Sequence, residues 1–189
     1  MPDHISFLIV VVYLDWLKNP LLNNVTHNYL LIGYHRARVM IVTRMICLSF
    51  ASLASLFTVM LMGTYVDASH QGLSCPDWPL CPNGFGFPPK KYFYEEIHRI
   101  AAGITAGVIF TTAWYASKEA ANVRGTAIAA GIIVSVQILL GMFVVDTKLE
   151  PLLVATHLST GVLLFGLALI TFVSSYRLTG SPTHFINQW

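Results

Sequence analysis

Charge is what this sequence has least of. Of its 189 residues only 11% are Asp, Glu, Lys or Arg, where soluble domains carry about 25%. That shortage excludes an ordinary solvated surface, and a net charge of +2 offers no basic face for nucleic acid. Cysteine is also scarce. There are three, and no pair has CxxC redox spacing. Catalytic signatures of hydrolases, phosphate-binding loops and zinc proteases (GxSxG, GxxxxGK[ST], HExxH) are absent. What the chain has instead is 55% apolar residues and a mean hydropathy of +0.64. These define an all-α integral membrane protein whose main partner is a lipid bilayer.

Gaps between charges locate the spans. Met45 to Val66 holds 22 residues without a charge, Ile100 to Ser117 holds 18, Gly125 to Val145 holds 21 and Pro151 to Tyr176 holds 26. A helix needs about 20 predominantly apolar residues to cross the hydrocarbon, so the pattern predicts a four-transmembrane-helix bundle. The helices are expected near 39–65, 92–116, 126–145 and 151–176. Lys18, Arg36, Arg38, Arg44, Lys118, Arg124 and Arg177 fall on one side, and Lys90, Lys91, Lys148 and Arg99 on the other. The richer side is expected to be cytoplasmic. Both termini then lie in the cytoplasm of a multi-pass cell-membrane protein, and the loop after the first helix is extracytoplasmic.

Residues 1–38 read as a cytoplasmic or interfacial segment, with Ile5 to Leu14 too short to span and Asn23 to Asn28 as a turn. Residues 39–177 form the transmembrane domain, and 178–189 a polar tail. In the first helix Ser49, Ala51, Ser52, Ala54 and Ser55 suit close helix contact, and Cys47 reads as a small buried hydrophobe. Between Asp67 and Tyr92 five prolines and three glycines exclude regular structure, yet Trp78, Leu80, Phe85 and Phe87 make the loop apolar. Such a loop is expected to fold onto the bundle or lie in the interface. Gly103 and Gly107 form a GxxxG pair that admits another helix or a flat ligand. Lys118 to Arg124 reads as a short inner loop. Gly131, Ser135, Gln137 and Gly141 are the packing or polar positions of the third helix. Pro151 suits the first turn of the fourth.

Two histidines interrupt the apolar spans. His98 lies seven residues past Lys91 and His157 six past Pro151, so each is about 9–10 Å down a helix entered from the same side. A depth-matched pair of imidazoles fits the axial ligation of a haem iron. Ala102 and Gly161, one turn on, are expected to leave those faces uncrowded. The other reading is a pair of interhelical hydrogen bonds. Glu95 shares a helix face with His98. It reads either as an acid/base group or as an ion-pair partner of Arg99 near a helix N-terminus, while Glu96 reads as solvent-facing. Arg99 could instead meet a haem propionate. Cys75 and Cys81, with five residues between them, suit a disulfide that is either a structural clip or a redox pair.

GLSCPDWPLC after the first span, EEIHR opening the second and a Thr-His early in the fourth resemble the haem A synthase family of cytochrome oxidase assembly proteins. The resemblance covers residues 40 to 177. It implies one half of an eight-helix architecture made of two four-helix halves, each with a histidine pair. It further implies oxidation of a haem O methyl group to the formyl group of haem A, with haem b or haem O/A at the sites. Cys75 and Cys81 match the family's disulfide pair, Glu95 its catalytic acid, and His98 and His157 its haem ligands. With one half present, a homodimer would supply two sites, and haem O synthase and an electron donor are implied partners. Two other readings stay open: a non-enzymatic bis-histidine haem-binding module for electron transfer or haem handover, and a thiol–disulfide exchanger using Cys75 and Cys81.

Overall fold

The computed structural model describes residues 20–178 except 80, 83, 85 and 87. All its regular elements are helices: α1 (Pro20–Ala68), α2 (Phe93–Glu119), α3 (Ala121–Asp146) and α4 (Pro151–Arg177). Each contains a stretch long and apolar enough to cross a membrane, Arg36–Ala68 in the case of α1. The chain is thus a multi-pass membrane protein, with four helices among the described residues long and apolar enough to span the bilayer. Ile41–Trp189 is one compact unit containing the bundle; Met1–Met40 is a separate unit whose described residues are the start of α1.

Two boundaries differ from expectation. The Asn23 to Asn28 stretch is helical, and α1 begins at Pro20. Proline fits a first helical turn, and asparagine inside a helix costs only tenths of a kcal/mol, too little to break one unaided. Lys118 to Arg124 is helical except at Ala120, whose φ of −135° and ψ of 70° separate α2 from α3. Small side chains permit this tight reversal. Ala116, Ala120, Val123 and Ala127 pack with Met45 in one apolar cluster. The start of α4 follows the expectation: Pro151 opens it, and the Glu150 carboxylate caps it by accepting the Leu153 N–H at 2.9 Å.

The bundle is small inside and large outside. A second cluster joins Leu56, Ala106, Ile109, Ala130, Val134, Leu164 and Ala168, while Trp114, Ile132, Val162 and Phe57 face outward. Lipid tails solvate such side chains, so helices in a bilayer gain most by bringing small residues together. Ser52 on α1 and Thr112 on α2 share a buried hydrogen bond of 2.9 Å, and Thr171 on α4 donates to Thr126 on α3 at 3.0 Å. The buried stripe of α1 runs through Met45, Ser49, Ser52 and Leu56. Cys47 lies off that stripe and is exposed rather than buried as expected. Gly103 and Gly107 also face away from the other helices, with nothing within 4 Å of where their Cβ atoms would be.

Candidate functional site

The loop between α1 and α2 is tied to the first turns of α2. Cys75 and Cys81 form a disulfide with Cα atoms 5.1 Å apart, and both are buried. Glu95 Oε2 accepts the Ser74 hydroxyl at 2.9 Å and the Cys75 backbone N–H at 2.8 Å. Its Oε1 accepts from Arg99, one turn along the helix. The same guanidinium donates to the carbonyls of Cys75, at 3.1 Å, and Asp77. Glu95 and Arg99 therefore grip the cysteine loop from either side of His98. On the far side Gly72 meets Leu149 in the α3–α4 turn, where a Cβ would come within 3.3 Å of Cδ2. The loop does fold onto the bundle, although Trp78 stays 43% exposed; Leu80, Phe85 and Phe87 lie outside the described residues.

Glu96 corrects an expectation. It is buried, not solvent-facing. Adjacent helical residues point about 100° apart, but the packing around this first turn encloses both carboxylates.

His98 on α2 and His157 on α4 both lie near the loop end of the bundle. Each imidazole packs on a glycine of the preceding helix. A Cβ on Gly63 of α1 would lie 3.0 Å from His98 Cε1, and one on Gly141 of α3 would lie 3.5 Å from His157 Cε1. Nδ1 of both rings is buried without a hydrogen-bond partner. Unpaired buried polar atoms are rare and call for a reason; a missing ligand is one. Among the described residues no three of His, Cys, Asp and Glu gather to hold a bare metal ion. Two imidazoles would suit a haem iron, since the haem itself supplies the other ligands.

The cytochrome oxidase assembly protein family COX15-CtaA matches residues 85–186. The chain belongs to this family. It is 29% identical over 147 residues to the haem A synthase of Shewanella oneidensis, covering 66% of the chain and 44% of that protein. It is 36% identical over 117 residues to the haem A synthase of Lysinibacillus sphaericus, covering 59% and 38%. It is 31% identical over 134 residues to that of Bacillus licheniformis, covering 68% and 41%. The chain spans about two fifths of the length of these curated relatives, between 38% and 44%.

Sequence reasoning missed the glycine partners of the two histidines. Their signal was local: Gly63 and Gly141 each stand shortly before a Val-Asp pair that closes a span. It also misread Gly161. That position is not open for a flat ligand, because a Cβ there would lie 3.0 Å from Gln137 Nε2. Gln137 instead donates to the His157 carbonyl at 2.8 Å and accepts from Thr160.

Proposed function

We propose that this chain takes part in haem A biosynthesis, oxidising a methyl group of haem O to the formyl group of haem A for cytochrome oxidase assembly. The observation that carries this reading is the pair of buried, unpartnered histidine nitrogens in a member of the COX15-CtaA family. His98 and His157 would hold the iron of a haem, either haem b or haem O/A. When bound, the haem supplies the redox chemistry.

The chain's own residues then hold and shield it. The disulfide loop, clamped by Glu95 and Arg99, covers the approach to His98 and limits water. Glu95 places a carboxylate one turn before His98, where it can stabilise positive charge and serve as an acid/base group. Arg99 uses three N–H bonds on the loop and Glu95; of its five, the others are free for a haem propionate. The lysine and arginine bias supports cytoplasmic termini and an extracytoplasmic cysteine loop. A homodimer would pair two such sites, and haem O synthase and an electron donor are the partners this chemistry calls for.

The test is co-expression with a haem O supply, followed by mass spectrometry of extracted haem from wild type and His98→Ala. Hydroxylated or formyl haem in wild type alone supports the proposal. Haem bound with a low-spin spectrum but never converted would favour the non-enzymatic haem-binding role. Conversion that survives replacement of both Cys75 and Cys81 by Ser would dismiss thiol–disulfide exchange.

A further inference from the structure

The two histidine positions are built on one template. In each antiparallel helix pair a glycine faces the imidazole, and in α3 and α4 the residue one turn before the glycine also meets the residue one turn after the histidine. In α1 and α2 these positions hold Val59 and Gly63 with His98 and Ala102. In α3 and α4 they hold Gln137 and Gly141 with His157 and Gly161. The template is apolar beside His98 and polar beside His157.

The polar version forms a closed latch. Gln137 Nε2 donates to the His157 carbonyl at 2.8 Å. A carbonyl can only accept, so the amide must present its nitrogen there and its oxygen to the neighbouring hydroxyl. Thr160 donates to that oxygen. Gly161 is buried, and its missing side chain gives the amide room, since a Cβ would stand 3.0 Å from Nε2 and push it back by a few tenths of an ångström. The latch grips the backbone of His157 and makes no hydrogen bond to its ring. Histidine ligands are commonly fixed through their second ring nitrogen. Here the hold is on the backbone carbonyl of the helix that carries the ring.

We infer that Gln137, seated in the Gly161 notch and held by Thr160, is a positioning residue that sets the rotation and depth of α4 and so the orientation of the His157 imidazole. The inference rests on the proposed haem-ligand role of His157. It assigns no contact between Gln137 and haem. An amide in the middle of a span is costly to leave unpaired, so the latch resists sliding of α4 along α3.

The test uses the full chain purified in detergent and titrated with ferric haem b, read by visible and electron paramagnetic resonance spectra. Gln137→Met keeps the volume and removes the latch. Gly161→Ala keeps Gln137 but fills its seat, and serves if Gln137→Met does not accumulate. Each is expected to shift the low-spin signal and weaken haem retention roughly tenfold, the lower end of the range for residues that orient metal ligands. The double variant should be no worse than either single one. In ¹⁵N-histidine-labelled protein without haem, the His157 resonance should move in both variants and the His98 resonance much less. Wild-type spectra and retention in both variants, with only the melting temperature lowered, would overturn the positioning role. His157→Ala separates the two claims. If it keeps the wild-type low-spin spectrum, the ligand reading itself fails. If it loses that spectrum while Gln137→Met and Gly161→Ala keep it, only the latch fails.

Discussion

Adding one methyl group at Gly63 or at Gly141 should have opposite consequences, though the two glycines play the same part. At Gly63 the new Cβ would lie 3.0 Å from His98 Cε1; at Gly141 it would lie 3.5 Å from His157 Cε1. Carbon atoms rest about 3.5–4.0 Å apart, so Gly141→Ala creates an ordinary contact, whereas Gly63→Ala forces His98 back by about 0.5 Å or more. Alanine in place of glycine favours a helix by about 1 kcal/mol. Gly141→Ala keeps that gain and should stabilise the bundle by roughly 0.5–1 kcal/mol. Gly63→Ala must subtract an overpacking cost of about 1–3 kcal/mol and should come out neutral to about 2 kcal/mol less stable. Thermal unfolding in one detergent reads the difference, and haem titration should show Gly63→Ala losing occupancy while Gly141→Ala retains it. Equal shifts, or a greater loss at Gly141, would refute the packing argument.

Other outcomes follow from the same contacts. Arg99→Ala strands a nearly buried Glu95 and should cost about 3 kcal/mol or more; reduction of Cys75–Cys81 by a membrane-impermeant phosphine should accelerate in parallel. Replacing both cysteines by Ser should cost about 2 kcal/mol for so short a loop, measured as a lower melting temperature. A double-mutant cycle with Ser52→Ala and Thr112→Val should give a coupling of about 0.6 kcal/mol, the usual value for a hydrogen bond between membrane helices. Lys148 adopts a φ of 57°, so Lys148→Gly should relieve strain and raise stability by about 0.5–1 kcal/mol.

The spans were legible because charges interrupt them, and His98 and His157 because polar side chains stand out at membrane depth. The disulfide and the Glu95–Arg99 pair were legible as possibilities from spacing. The rest depends on how helices meet. Gly63 and Gly141 acquire meaning only once an antiparallel register sets each against an imidazole, and Gly161 looked open until Gln137 was seen to fill its notch. Cys47 was misplaced because hydrophobicity cannot distinguish lipid from core when both are apolar. Asn23 to Asn28 was misread because a cluster of turn-prone residues is weaker than the helix it lies in.

The repeated glycine–histidine hairpin has a genetic consequence. In a symmetric dimer of identical hairpins every substitution appears twice, so both ligand positions must accept the same change. Joined in one polypeptide, the two copies are independent of each other. Beside His98 the charged pair Glu95–Arg99 holds the loop, while beside His157 an amide, a hydroxyl and a glycine notch hold the helix. The covalent link across Ala120 thus lets the two sides of one site be adjusted separately, which two copies of a single gene product cannot do.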